Sequence, residues 1–306
     1  RKMLAEHTNV VEQLMCAKEF GAIDYSKIPS KAMSDYMKAF GKNDYERFTQ
    51  FLTAVDKGET KINAGAVYPY DIVKNMRFGS ANGADTQWNA LPNYMEGNNE
   101  MVLPMVDVSG SMQTPAGGNN NVQCLDVAVS LGLYISERNE GPFKDAFITF
   151  TNNPTLQVLK GSLSERYGQM SGAVGYSTNL ESAFRMVLDK AVKGNVSKED
   201  MPTMVLVLSD MEFNNGSVRG MGNQTAQKMI ETLYETAGYK MPKLVYWNIQ
   251  SRGDSNKPVQ FNESGTALVS GFSTSILTSL LSGKTMTPYS MMLDVVSGER
   301  YKAITL

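Results

Sequence analysis

The densest chemistry in the chain lies in one stretch, Val106-Asp107-Val108-Ser109-Gly110-Ser111-Met112. It follows a short apolar run, Met101 to Val106, and precedes a nearly all-apolar one, Asn121 to Glu137. A carboxylate with hydroxyls two and four residues further on is a hard, all-oxygen donor set, suited to Mg²⁺ and ill suited to zinc or copper. Two later segments can complete such a set: Tyr176-Ser177-Thr178-Asn179, ahead of a helical pattern, and Leu208-Ser209-Asp210, where an aspartate again ends an apolar run. Each of these residues taken singly could equally cap a helix, the commonest use of Asp, Ser and Thr at such places. Taken together, at strand ends, they point to a cation.

The rest of the composition narrows the chemistry. His7 is the single histidine, which argues against a Ser-His-Asp triad, a two-histidine zinc site and most imidazole acid–base work. Two cysteines, Cys16 and Cys124, are too few for a disulfide framework and favour a reducing, cytoplasmic setting. A net charge of -2 argues against attachment to nucleic acid or membrane by bulk charge. No apolar run nears the ~18 residues of a membrane span, and no P-loop or G-x-S-x-G elbow is present. The chain starts at Arg1, so the expectation is that the amino terminus has been removed or that the natural chain extends further; no signal-peptide pattern opens it.

The elements that must position these groups read in two grammars. The first part is helical: Val10, Val11, Leu14 and Met15 form one stripe, and Met33, Tyr36, Met37 and Phe40 another, with Ser30 expected as its N-cap and Gly41 as its stop. A third helix carries Tyr45, Phe48, Phe51, Leu52 and Val55 and ends near Gly58; a fourth follows Pro69. Basic and acidic residues balance from Arg1 to Glu96, 12 against 12. Gly79 to Glu100, rich in Gly, Asn and Ala, is expected to be a linker anchored by Trp88.

Beyond it, short apolar runs alternate with helical segments. Strands are expected at 101–106, 146–150, 156–159, 204–208, 244–249 and, as a last inner strand, 267–269; helices at 121–137, 164–170, 180–192, 225–236 and 275–281. Loops are expected at 113–121 and 213–224. The alternation predicts an α/β fold with a mostly parallel central sheet, helices on both faces and one short antiparallel edge strand near Leu156. In such sheets, ligands gather outside the carboxyl ends of the strands, where Asp107 and Asp210 stand.

From about Met101 onward the chain resembles the von Willebrand factor type A domains that carry a metal-ion-dependent adhesion site: D-x-S-x-S, a Thr in a later loop, and an Asp closing a later strand. The matching positions are Asp107, Ser109, Ser111, Thr178 and Asp210. The resemblance implies a Rossmann-like fold in which Ser109 and Ser111 coordinate Mg²⁺ (or Mn²⁺ or Ca²⁺) through their hydroxyls. Thr178 would do so directly or through water, and Asp107 and Asp210 would orient metal-bound waters. Few negative charges would then touch the ion, which leaves it a position for an outside oxygen, typically a partner's Asp or Glu. The build also resembles Ro-type (TROVE) RNA-binding proteins and an uncharacterised group from large phages and other microbes, through Lys61-Ile62-Asn63-Ala64-Gly65-Ala66-Val67-Tyr68-Pro69 and Gly175-Tyr176-Ser177-Thr178-Asn179.

The expectation is therefore a helical region with linker over residues 1–96, packed on a type A domain over 97–306. Its expected function is non-catalytic, metal-dependent binding of an acidic residue of a protein partner inside a larger assembly. Two rivals stand beside it: an RNA-binding ribonucleoprotein component, and a structural protein, for instance of a virion, with a vestigial site. Neither a membrane nor DNA is an expected partner. Glu212 is expected to be a solvated loop residue, and Arg252-Gly253-Asp254 a chance tripeptide. Gly216-Ser217-Val218-Arg219-Gly220 is expected to form part of a binding rim, and most of the 20 methionines to fill the core.

Overall fold

The computed structural model describes residues 10–77, 83–96, 100–117, 119–173, 175, 178–210, 218–219, 224–250, 266–271, 289, 292–293 and 296–298. The chain divides into two compact units, Arg1–Pro92 and Asn93–Leu306.

The first unit is helical: α1 (Val11–Ala17), α2 (Ser30–Asn43), α3 (Tyr45–Asp56), α4 (Pro69–Arg77) and α5 (Ala84–Asn89). Met33, Met37 and Phe40 line one side of α2 and meet Phe48 of α3 and Tyr25 in a shared core, where the Tyr25 ring sits edge-on to Phe40 and Phe48 at 5.2 and 5.1 Å. Two expected boundaries move. Ser30 is the first helical residue rather than the cap, with Pro29 extended before it. Gly41 does not stop α2, because a helical glycine costs only about 1 kcal/mol and the buried Phe40 holds the last turn. The break comes at Asp44, whose carboxylate accepts from Tyr25 Oη and Arg47. The expected linker also contains α5, entered through Gly83 at φ 84° and fixed by Trp88, which is 1% exposed. Residues 79–82 and 97–99 of that linker lie outside the described residues.

In the second unit the order is β1 (Val102–Val106), β2 (Pro115–Ala116), β3 (Asn119–Gln123), α6 (Cys124–Arg138), β4 (Ala146–Thr149), β5 (Leu156–Val158), α7 (Leu163–Ser171), β6 (Thr178–Asn179), α8 (Leu180–Lys193), β7 (Met204–Ser209), β8 (Val218–Arg219), α9 (Gln224–Thr236), β9 (Lys243–Asn248) and β10 (Thr266–Ser270). Among the described residues the main sheet has six strands in the order β10-β9-β7-β1-β4-β5; the pairings are parallel except β4 with β5. This is the mixed α/β architecture that the apolar runs predict, with the antiparallel edge at Leu156.

Alternation along β1 assigns the faces. Leu103 and Met105 pack with Val205 and Val207 of β7 against Phe184 of α8 and Tyr234 of α9. Val106 faces the other way, onto α6, where Gly132 permits a close approach: a Cβ there would lie 2.5 Å from Val106 Cγ2 and 2.9 Å from Met170 Sδ of α7. Helices thus cover both faces of the sheet.

Three expectations change here. The loop expected at 113–121 is largely a small antiparallel hairpin, β2–β3, and the helix starts at Cys124, since Asn119 to Asn121 are poor helix formers. The strand expected as inner, β10, lies at the end of the described sheet, beside β9 alone. The helix expected at 275–281 lies outside the described residues. No helix among the described residues is long and apolar enough to cross a membrane.

Candidate functional site

Chain order reverses across the sheet between β1 and β7: the connection from β1 leads toward β4, and that from β7 toward β9. Adjacent parallel strands whose connections diverge leave a crevice beyond their carboxyl ends, and Asp107 and Asp210 are the residues that immediately follow them.

The main chain ties this crevice together. Asp107 N–H donates to Leu208 O at 3.0 Å, which extends the β1–β7 ladder by one step. The Asp107 carboxylate accepts from Ser109 N–H through Oδ1 at 2.9 Å and from the Ser209 hydroxyl through Oδ2 at 2.7 Å. The loop then closes into a 3₁₀ turn, Gly110–Gln113, in which Ser109 O accepts from Met112 N–H at 3.1 Å. That turn sets the Ser109 and Ser111 hydroxyl oxygens 3.1 Å apart. From the far strand, Asp210 N–H points at the sulfur of Met112 at 3.3 Å. Asp107, Ser109, Ser111 and Asp210, drawn from segments about a hundred residues apart, therefore share one corner.

Thr178 is placed by its backbone alone. It lies in β6, pairs parallel with Val218 of β8, and immediately precedes α8. Its side chain lies outside the described residues. The approach of its loop is described at Gly175, where a Cβ would fall 2.2 Å from Phe150 O and 2.8 Å from Thr151 Cγ2. Gly175 therefore lies against the carboxyl end of β4, the strand beside β1, where Val106 pairs with Thr149. Of the expected rim 216–220, the backbone of Val218–Arg219 is described; the other three residues, Tyr176, Ser177, Glu212 and the tripeptide 252–254 lie outside.

Asp107 is 3% exposed and Asp210 fully buried. Burial pushes the Asp107 carboxyl above its usual range and the charge of Asp210 adds to this, while the hydrogen bonds from Ser109 and Ser209 pull it back. Burying two carboxylates in one region is costly unless each is compensated by hydrogen bonds or an opposite charge. Among the described residues no group of three or more His, Cys, Asp or Glu side chains converges. A cation in this corner would therefore meet hydroxyl oxygens and two acids, a donor set that fits a hard divalent ion.

Three contributors are missing from the sequence reading. Ser209 holds Asp107, Met112 receives the Asp210 N–H, and Gln250 reaches Thr114 Oγ1 at 3.4 Å from the end of β9. Ser209 stands beside Asp210 in the sequence, yet its role appears only once the β1–β7 register is known. For Met112 and Gln250 no sequence signal exists.

Comparison with known proteins places the chain in a family. Residues 102–301 match the family described as "Domain of unknown function (DUF7788)", and residues 1–101 match that described as "Domain of unknown function (DUF2828)". The chain is 30% identical, over 318 aligned positions, to "Uncharacterized protein L728" of Acanthamoeba polyphaga mimivirus, covering 97% of this chain and 54% of that protein. Among solved structures its fold is similar to the Ro (RSR) protein of Deinococcus radiodurans, at a TM-score of 0.51 and 14% identity, covering 91% of this chain and 56% of that one. The chain thus spans about half the length of each of these relatives. At this identity the likeness to the Ro protein is one of fold.

Proposed function

Because the chain belongs, over residues 102–301, to the DUF7788 family, whose description assigns no activity, its role must be argued from its own site, and we propose that it is a divalent-cation-dependent binding module that captures an acidic side chain of a protein partner. The observation that carries this reading is the convergence of Asp107, Ser109, Ser111 and Asp210 at the carboxyl ends of two adjacent central strands. In this reading Ser109, Ser111 and Thr178 hold Mg²⁺, Mn²⁺ or Ca²⁺ through their hydroxyls, and Asp107 and Asp210 steady its waters. The bound ion would supply a Lewis-acidic centre for an outside carboxylate. The chain itself contributes orientation: the 3₁₀ turn presents two hydroxyls together, and the Ser109 and Ser209 hydrogen bonds fix the acid behind them. In this reading the module binds its partner and does not turn over a substrate.

Titration calorimetry with Mn²⁺ tests the reading. The wild-type chain takes up the ion, whereas Asp107→Ala and Asp210→Ala lose it with far-UV circular dichroism unchanged. A wild-type chain that takes up no divalent ion refutes it.

A second reading, RNA binding, is favoured by the likeness of the fold to the Ro protein. Its test is the salt dependence of affinity for labelled single-stranded RNA, which falls steeply as counterions are released if phosphates are engaged. A flat response removes it.

A further inference from the structure

The register of the two central strands creates a contact that neither strand shows alone. Val106 pairs with Leu208, so the residues that follow, Asp107 and Ser209, stand abreast. Both are buried, and the Ser209 hydroxyl donates to Asp107 Oδ2 at 2.7 Å while Ser109 N–H occupies Oδ1 at 2.9 Å. The carboxylate is held at both oxygens from two distant parts of the chain, which fixes its rotamer and its plane. An apolar residue at 209 would continue the row of Val205 and Val207 that packs under α8 and α9. A hydroxyl forgoes that burial and is turned instead toward an acid.

We propose that Ser209 is a positioning residue of the cation site, whose hydroxyl keeps the Asp107 carboxylate in a single orientation beside the Ser109 and Ser111 hydroxyls. The inference rests on the cation-binding reading above and can fail separately from it. Outer partners of metal sites generally contribute about 10–100-fold to metal affinity, and Ser209 belongs in that range. Its contribution comes from the hydroxyl, not from side-chain volume, so a conservative variant that keeps the hydroxyl restores it.

The experiment is a Mn²⁺ titration, read by calorimetry and by the electron paramagnetic resonance signal of free Mn²⁺, on the wild-type chain and on Ser209→Ala, Ser209→Cys and Ser209→Thr. Circular dichroism and the thermal midpoint in EDTA check that each variant folds. The expected result is a loss of about 10–100-fold in affinity for the Ala and Cys variants, with near wild-type affinity for Thr. If Ser209→Ala does not fold, the comparison of Cys, which keeps the size, with Thr, which keeps the hydroxyl, carries the test. Wild-type binding with unchanged affinity in the Ala or Cys variant overturns the role of Ser209 and leaves the cation site standing. So does a Thr variant as weak as Ala. A wild-type chain that takes up no Mn²⁺ overturns both.

Discussion

Gly132→Ala offers a sharp test of how the helix layer positions the site. The added Cβ would lie 2.5 Å from Val106 Cγ2 and 2.9 Å from Met170 Sδ, well inside the roughly 3.5–4.0 Å of favourable carbon contact. Two effects oppose each other. Replacing a helix-interior glycine by alanine gains roughly 0.5–1 kcal/mol, while forcing a methyl into a filled core costs about 1–3 kcal/mol. Met170 is flexible and can yield. Val106 is β-branched and stiff, and it lies in a strand paired on both sides. Nor can α6 retreat, since Asp126 to Ser136 are all buried. Overpacking therefore wins, with a net loss of about 1–2 kcal/mol, or a fall of about 2–8 °C in Tm for a unit of this size. Gly168→Ala in α7 is the internal control: that position is exposed, a Cβ there meets nothing within 4 Å, and stability should rise by up to about 1 kcal/mol. Thermal and urea unfolding followed by circular dichroism read both variants. Because Val106 precedes Asp107, Gly132→Ala should also weaken Mn²⁺ uptake more than Gly168→Ala does. A Gly132→Ala protein as stable as the control variant would refute the packing argument.

Further predictions concern the supports of the two units. Asn139 donates to Val102 O at 2.7 Å and accepts from Val102 N–H at 3.3 Å, standing in for β4 where the β1–β4 pairing has not begun; Asn139→Ala should cost about 2–4 kcal/mol in urea unfolding, because two buried backbone groups lose their partner. Trp88→Ala should destabilise the helical unit by about 3–5 kcal/mol, seen as an early loss of helical signal on heating. The Ser162 and Glu165 capping box starts α7, and Ser162→Ala should cost about 1 kcal/mol. The backbone N–H of Ser162 holds Glu165 below its usual range, so its stabilising contribution is complete above the ordinary glutamate value and is lost as pH falls through the folded one. The Tm difference between wild type and Glu165→Gln should accordingly shrink as the medium is taken well below about pH 4.3.

Much of this protein is readable without coordinates, for a physical reason. A strand buried on both faces must be continuously apolar, and an amphipathic helix must repeat near 3.6 residues. Met204 to Leu208 and the stripe of Met33, Met37 and Phe40 therefore announce themselves, and with them the class of the fold and the position of Asp107 and Asp210 at strand ends. Local punctuation proved less decisive. Gly41 looks like a stop and is overridden by the burial of Phe40, and the linker composition around Trp88 conceals a short helix that tertiary packing stabilises.

What tertiary structure decided is adjacency. Residue types and spacing along the chain determined which oxygens are on offer, but not that β7 lies beside β1. Nor did they set the register that brings Ser209 abreast of Asp107, or show that a sulfur from Met112 meets the Asp210 N–H. Pairing of strands about a hundred residues apart depends on how the helices over both faces fill space, as at Gly132, where the absence of one methyl permits the approach. Such complementarity is a property of the assembled layers, and no window of sequence contains it.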